Sequence, residues 1–203
     1  MRGLPWIAVV VLGLAPAVAG QEGAPPGPDV RRASFEEAFP RGGSLRVKVR
    51  SGDVRILGSD DDRIAIRYEG KKAGLSHEVK VQLERTSSSS ADLSIKGGPH
   101  NEFRIILTVP RTSSLRVRMP FGDLEVSQVM GDLDVELHAG DLTVHAGDAG
   151  RYAHVDASVS AGDLSADPFG VQKGGLFRSF KKDGPGTHRL HAHVGSGDLT
   201  LEN

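Results

Sequence analysis

Three histidines near the end of the chain have a spacing that could bind a metal. His188, His191 and His193 lie close together, with Arg189 among them. On a β-strand, His191 and His193 point to the same face because side chains alternate with period two. Two imidazoles on one face can ligate zinc or copper if a neighbouring strand supplies a third ligand. Arg189 points to that face too and repels a cation, so the pattern favours an exposed polar face over a metal site.

A second chemically capable set is the aspartates that directly follow a glycine. Asp123, Asp132 and Asp141 would form an acidic ladder if their turns stacked on one edge, and carboxylate oxygens suit calcium. Calcium-binding β-rolls, however, use a different phrase with paired glycines. Capping of the turn by the Asp side chain is the more economical role. We therefore predict no metal site and no cofactor.

The sequence contains no arrangement typical of an enzyme. There is no Cys, no phosphate-binding loop and no nucleophile elbow, since Ser160 lacks the preceding glycine that an elbow requires. Each Asp or Glu is explained by a turn or a solvent-facing strand position. We predict a non-enzymatic protein with no catalytic residues. A carbohydrate-active enzyme on a β-helix, which needs carboxylates or a basic residue against the sugar, is the alternative.

The Gly-Asp steps recur in one register, with apolar residues at the second and fourth places after the glycine. Leu124 and Val126 follow Gly122 in this way, and Gly122, Gly131 and Gly140 are nine residues apart. Glycine allows the positive φ of a bend, and Asp can bind nearby backbone N–H groups. Units this short must stack to bury their apolar side. The predicted structural turns are Gly52, Asp53, Gly122, Asp123, Gly131, Asp132, Gly140, Asp141, Gly162, Asp163, Gly197 and Asp198.

Alternation with period two continues through almost every other segment. Leu45, Val47 and Val49 alternate with charged residues, which is the pattern of a half-buried strand, and no stretch shows a helical stripe. With the stacked turns, this predicts an all-β fold. We expect a repetitive β-solenoid, similar to a right-handed β-helix, with Gly-Asp turns. A β-sandwich is the alternative.

The first residues have the order of a secretory signal peptide. Arg2 precedes the apolar run 7–14, and Ala17-Val18-Ala19 forms a small-residue cleavage site. We predict a signal peptide at 1–19, a Gly- and Pro-rich disordered linker at 20–38 and a single β-repeat domain at 39–203. The apolar run is too short to span a bilayer. We expect an exported protein in the periplasm, at the cell surface or outside the cell, without a transmembrane anchor.

Charge is distributed unevenly along the chain. Residues 20–120 hold 18 Lys/Arg and 13 Asp/Glu, a balance of +5, and residues 121–203 hold 6 and 13, a balance of −7. The basic side chains could form a patch for an anionic polymer or a lipid head group. Interspersed acidic residues favour a solvated strand face instead, and we predict no nucleic-acid partner. The basic residues in question are Arg46, Lys48, Arg50, Arg55, Arg67, Arg104, Arg116 and Arg118.

The segment from Asp167 to Gly186 breaks the repeat. Stacked repeats need a cap over the end of their core, and this segment is predicted to supply it. Loops on a rigid scaffold also carry function, so the segment is the candidate site for contact with a partner or a membrane surface. The residues concerned are Phe169, Lys173, Phe177, Arg178, Phe180, Lys181 and Lys182.

Three Gly-Asp phrases combine with one apolar strand. The phrases are Ser51-Gly52-Asp53-Val54, Ala161-Gly162-Asp163-Leu164 and Gly195-Ser196-Gly197-Asp198-Leu199, and the strand is Ile105-Ile106-Leu107-Thr108-Val109-Pro110. Together they resemble the bacterial putative-adhesin family of β-strand-repeat proteins. The resemblance covers residues 45–201. It implies a secreted or envelope-exposed repetitive β fold without catalytic residues. We expect an adhesin-like binding or scaffold role in the cell envelope, with an envelope protein, a surface polymer or a second copy as partner. A self-associating envelope scaffold is a further alternative.

Overall fold

The computed structural model describes residues 35–70, 79–96 and 103–203, and these residues are mostly β-strand. Two short 3₁₀ turns, Ala149–Arg151 and Asp167–Phe169, interrupt the strands. The strands are β1 Phe35–Ala38, β2 Ser44–Val49, β3 Asp53–Ser59, β4 Arg63–Gly70, β5 Lys80–Arg85, β6 Ser90–Lys96, β7 Phe103–Pro110, β8 Ser114–Phe121, β9 Leu124–Ser127, β10 Leu133–Ala139, β11 Leu142–His145, β12 Tyr152–Ala161, β13 Leu164–Ala166, β14 Val171–Lys173, β15 Leu176–Asp183, β16 His188–Ser196 and β17 Leu199–Glu202.

The end of the predicted linker needs a correction. Residues Phe35–Ala38, inside the segment 20–38, form β1 and pair antiparallel with β4, where Phe35 lies opposite Ile66. Backbone pairing with β4 holds these residues despite their polar composition. The predicted signal peptide and residues 20–34 lie outside the described residues.

Within the described residues, the strands form two mixed sheets. Sheet A has nine strands in the order β1-β4-β7-β3-β9-β11-β17-β13-β14, and sheet B has eight in the order β15-β12-β16-β10-β8-β2-β6-β5. The prediction of an all-β fold is confirmed. The inner strands of both sheets are parallel to their neighbours, and antiparallel pairs occur towards the ends.

The chain alternates between the two sheets through the middle of the domain. It runs from β8 in sheet B to β9 in sheet A, then to β10 in sheet B and β11 in sheet A. Leu115 of β8 pairs with Leu133 of β10, and Leu124 of β9 pairs with Leu142 of β11. Each two-strand rung therefore stacks on the previous one in register.

The stacking order differs from the order along the chain at one place. The rung of β16 and β17 lies between the rung of β10 and β11 and the rung of β12 and β13, although it follows both in sequence. Strand β16 pairs parallel with β10 on one side and with β12 on the other. The long antiparallel strand β15 carries the chain back so that this insertion can occur.

One apolar core lies between the sheets. In β2, Leu45, Val47 and Val49 are buried while Arg46 and Lys48 are exposed. The same alternation in strands of both sheets joins their inward residues into one cluster. Burying each Leu, Val or Ile side chain stabilises the fold by about 1.5–3 kcal/mol before the entropy cost. The period-two pattern of the sequence thus sets which face of each strand is inside.

The Gly-Asp steps lie at the corners where the chain passes between sheets. Gly122 and Gly140, eighteen residues apart, lie between a strand of sheet B and the next strand of sheet A, with φ of 116° and 128°. Gly131 lies at the opposite corner, between β9 and β10, and is absent from the positive-φ residues of the described chain. The nine-residue spacing therefore joins two different corners, and the structural repeat is the full eighteen residues.

Candidate binding surfaces

The corner aspartates connect neighbouring rungs. The Asp123 Oδ1 atom accepts a hydrogen bond from the backbone N–H of Asp141 at 3.2 Å. Asp141 Oδ1 accepts from the N–H of Asp198 at 3.0 Å, and Asp198 Oδ1 accepts from the N–H of Asp163 at 2.9 Å. Each of these carboxylates thus caps a backbone group of the next rung rather than of its own turn. Backbone capping accounts for the chemistry of this ladder.

Two of the predicted turn aspartates lie outside the ladder. Asp132 is at the opposite corner, where its Oδ1 atom accepts from the backbone N–H of Arg189 at 2.9 Å and lies 3.5 Å from His188 Nδ1. Asp53 forms an ion pair with Arg104, with 2.8 Å between Oδ2 and Nη2. Successive Gly-Asp steps alternate between corners, so Asp132 does not share an edge with Asp123 and Asp141.

The histidines of β16 face outward from sheet B. Leu190, Ala192 and Val194 are buried, and His191 and His193 alternate with them. His193 Nδ1 lies 2.9 Å from Ser158 Oγ. His191 is grouped with Asp134 and Glu136 of β10, and one potential ligand atom of each lies within 4.8 Å of the others. The group therefore holds only one of the two paired histidines, and its other two members come from the neighbouring strand β10.

Arginines occupy the carboxylates of this group. Arg118 Nη2 lies 2.9 Å from Asp134 Oδ1 and 3.0 Å from Glu136 Oε1, and Arg116 Nε donates to Asp134 Oδ2 at 2.8 Å. The contact at Asp134 Oδ1 is an ion pair without the alignment of a hydrogen bond. A cation would have to displace two guanidinium groups. We interpret the group as an ion-pair network across β8 and β10.

An open cleft of about 890 Å³ crosses the outer face of sheet B, from β5 and β6 to β16. Arg46 pairs with Asp92 at 3.1 Å, and Arg118 pairs with Glu136. Glu84, the third acidic residue of the lining, accepts a hydrogen bond from Gln82. The charged lining residues are Arg46, Lys48, Arg50, Lys96 and Arg118 against Glu84, Asp92 and Glu136. The lining is therefore mainly basic.

The remaining basic side chains of the N-terminal half do not join this surface. Arg55 lies on the outer face of sheet A and pairs with Glu125 at 2.6 Å, and Arg104 pairs with Asp53 there. The alternation of the sequence predicts that these arginines point outward, but their assignment to two opposite sheets requires the topology. The basic residues of the N-terminal half are therefore divided between the outer face of sheet A and the outer face of sheet B.

Part of the segment 167–186 covers the end of the core. The Phe169 ring lies 6.4 Å from Tyr152 and 5.4 Å from Phe180, and Phe180 is buried. Lys182 Nζ lies 5.6 Å from the Phe169 ring centroid, and Lys181 pairs with Asp156 at 2.9 Å. These contacts give this part of the segment a capping role.

The other part of the segment is exposed. Leu176 and Phe177 at the start of β15 are 64% and 82% exposed, and Phe177 has a φ of 53°. Arg178 Nε donates to the Gly174 carbonyl at 2.6 Å, and Lys173 Nζ donates to the Ser179 carbonyl at 2.7 Å. A left-handed φ is uncommon for an aromatic residue, so the backbone of Phe177 is held in a conformation that it does not prefer. Phe177 belongs to the predicted contact residues but Leu176 does not, because its exposure depends on the local bend.

Tyr152 at the start of β12 is buried, and its hydroxyl donates to the Ala146 carbonyl at 3.1 Å. Burial raises the pKa of its phenol, and nearby Arg151 opposes this in part. The neutral phenol stabilises the fold fully below its unfolded pKa of about 10, and this contribution is lost as pH rises through the higher folded pKa. We expect Tyr152→Phe to cost about 1 kcal/mol at pH 7 and to lose less stability than the parent at alkaline pH. Urea unfolding of both proteins from neutral to alkaline pH checks this, and parallel curves would contradict it.

The corners, the two sheets and their shared core define an all-β repeat domain of stacked strand pairs. The family model described as Toastrack DUF4097 matches residues 76–202, which is more than half of the chain. The chain belongs to the Toastrack DUF4097 family, and the resemblance to a β-repeat family expected from its motifs is confirmed.

Several solved structures are similar to the chain at low sequence identity. A "putative cell adhesion protein" from Clostridium sporogenes is 10% identical, with a TM-score of 0.47, over 83% of this chain and 97% of the other. A "putative adhesin" from Bacteroides fragilis is 11% identical, with a TM-score of 0.33, over 82% and 95%. A "putative adhesin" from Parabacteroides distasonis is 13% identical, with a TM-score of 0.24, over 86% and 71%. No curated protein matches the chain significantly.

Across the described ranges, no helix is long and apolar enough to cross a membrane.

Proposed function

We propose that the domain is a non-enzymatic, adhesin-like binding protein of the bacterial cell envelope, exported by the signal peptide at 1–19. Its stack of two-strand rungs would be a short β-solenoid with the coil of a right-handed β-helix. In this role it binds an envelope protein through β15, the terminal strand of sheet B. The exposed pair Leu176 and Phe177 on this strand carries the proposal.

The exposure and position of this pair support a contact site. Two adjacent large apolar side chains in water are unfavourable, and such patches mark interaction sites on soluble proteins. Among the described strands, β15 is hydrogen-bonded on one side only, to β12. A free strand edge can accept an added strand from a partner, and side chains beside it give specificity. Arg178 adjoins the pair and adds a cation at the rim.

The charge pairing in the cleft supports binding rather than glycoside hydrolysis. Asp92 and Glu136 are each in an ion pair with an arginine. A glycosidase needs two carboxyl groups that face the sugar, one of them as the acid. Carboxylates held by guanidinium groups form a structural network instead.

Replacing Phe177 tests the proposed function. Phe177→Asn removes the ring while keeping a residue type that tolerates left-handed φ. We expect binding of the purified domain to isolated cell envelopes to fall about fivefold or more, as for loss of an interface anchor. Cosedimentation over a range of domain concentrations gives the affinity. Met130→Asn, at another side chain that is 45% exposed, is the control and should bind like the parent. Equal binding by all three proteins would refute the β15 contact.

A self-associating scaffold is the second candidate, and the sheet ends favour it. Strands β15 and β14 end the two sheets on one side, and β5 and β1 end them on the other, in the described part of the chain. Free edges at both ends allow head-to-tail addition of a second copy. Sedimentation velocity separates the two candidates, because self-association grows with concentration without any envelope material.

A further inference from the structure

A second surface lies near the opposite end of sheet B from β15. We propose that the cleft binds a linear anionic polysaccharide through Lys48, Arg50 and Lys96. This surface is separate from Leu176 and Phe177, because the sheet order places β15 first and β2, β6 and β5 last. The site therefore adds a ligand class to the protein contact proposed above.

The strand register brings these cations into neighbouring positions. Lys48 and Arg50 are two residues apart and both exposed, on the outward side of β2 and just beyond its end. Val49 pairs with Ile95, so the next residues, Arg50 and Lys96, are neighbours on the outer face. On the far side of β6, Lys96 pairs directly with Lys80 of β5. Arg50, Lys96 and Lys80 thus form a row of like charges across three strands.

The cluster lacks internal neutralisation. Within residues 35–70, 79–96 and 103–203, Lys48, Arg50, Lys80 and Lys96 have no side-chain ion pair or hydrogen bond. Arg46, by contrast, is paired with a carboxylate in the same cleft. Like charges directly opposite on adjacent strands destabilise a sheet. A bound anion would remove that repulsion.

Protection of a sheet edge explains only one of the four cations. Lysines on edge strands block unwanted strand addition, and Lys80 is on the edge strand β5. Strand β2, which carries Lys48 and leads to Arg50, is flanked by β6 and β8 and has no free edge. These inner cations therefore call for a different role.

The shape of the cleft favours a linear polymer as its ligand. Lys48, Arg50 and Lys96 line a cleft that crosses several strands, and the excess of positive charge in its lining concentrates the field inside. A narrow polymer can follow such a cleft, whereas a flat bilayer surface contacts only its rim. The Phe121 ring, 57% exposed, packs edge-on against His138, which lines the cleft, with 6.0 Å between centroids. An exposed aromatic ring next to a residue of the cleft lining suits acidic sugars, which present both apolar faces and anionic groups.

The test uses the protein without the predicted signal peptide 1–19 and two acidic polysaccharides. Polygalacturonate fragments supply carboxylates, and heparin fragments supply sulfates. The triple variant Lys48→Gln, Arg50→Gln, Lys96→Gln should weaken binding about tenfold or more in low-salt calorimetry, and parent binding should fall as salt is added. The control variant Lys173→Gln, Lys181→Gln, Lys182→Gln makes the same charge change on β14 and β15, the strands that end the two sheets on the far side. We expect it to bind like the parent.

Thermal unfolding shows whether the cleft variant folds, and its midpoint should equal or exceed that of the parent because repulsion is removed. Binding of neither polysaccharide by the parent would overturn the proposal, as would an equal loss in both triple variants. Vesicles containing phosphatidylglycerol form the third arm. Binding of these vesicles through the same cations, without polysaccharide binding, would assign the cleft to a membrane instead and would also overturn it.

Discussion

Gly140→Ala is expected to destabilise the domain by about 3–5 kcal/mol, against about 1–2 kcal/mol for Gly52→Ala. Both glycines have φ near the same value, 128° and 126°. A Cβ at Gly140 would lie 2.0 Å from the carbonyl oxygen of Gly122 in the next rung, whereas at Gly52 it meets no atom within 4 Å. The first substitution combines backbone strain with a backbone clash, and the second has the strain alone.

Urea unfolding at neutral pH measures the difference between the two variants. Domains of this kind have a total stability of about 5–15 kcal/mol, so the Gly140 variant could be largely unfolded while the Gly52 variant remains folded. Equal losses in the two variants would show that rungs separate at little cost. They would contradict the close stacking of the corners.

Leu199→Ala is expected to cost about 2–5 kcal/mol, the range for truncating a buried leucine. Leu199 is fully buried in β17, paired with Leu142 of β11 on one side and Leu164 of β13 on the other. All three residues occupy the second place after a corner glycine. The truncation opens a cavity in the middle of a continuous ladder, where neighbouring rungs cannot close it without losing register.

Leu176→Ala is the matched control because it removes the same atoms from a side chain that is 64% exposed. It should change the free energy of unfolding by less than about 0.5 kcal/mol. Denaturant unfolding of both variants measures the two losses. The comparison is valid if the free energy of unfolding has a similar slope against denaturant concentration in both variants. A small loss at Leu199 would show that its ladder packs loosely and would contradict the shared core.

The local features of the fold could be read from the sequence because they depend on near neighbours. Alternation with period two identified Leu45, Val47 and Val49 as inward residues, and they are buried. The register after each corner glycine placed the Leu and Val side chains in the core for the same reason. Such patterns follow from strand geometry alone and need no knowledge of the partner strand.

The order of the rungs could not be read in this way. Nothing local in β16 and β17 shows that they insert between earlier rungs, because their outward and inward faces look like those of their neighbours. Gly131 was grouped with Gly122 for a similar reason. Unlike Gly122, it has no positive φ, and its closeness to the Ser113 carbonyl depends on a chain segment distant in sequence.

The candidate sites show the same limit. The spacing of His191 and His193 predicted their common face, but the carboxylates and arginines beside them come from β10 and β8. The row formed by Arg50, Lys96 and Lys80 exists only through pairing of three strands. The distribution of charge along the sequence therefore indicated a basic half. Only the strand register shows which of its cations are neighbours.

The inserted rung of β16 and β17 has a consequence for how the domain is assembled. The contacts between β12 and β10 that a simple solenoid would make early are replaced by contacts of each with β16. The chain up to β15 therefore cannot complete its stack by itself. The place between the rung of β10 and β11 and the rung of β12 and β13 is filled only when β16 and β17 fold into it. Such long-range closure slows folding. It also means that deleting β16 and β17 would divide the stack in its interior, whereas deletion of a terminal repeat merely shortens an ordinary repeat protein.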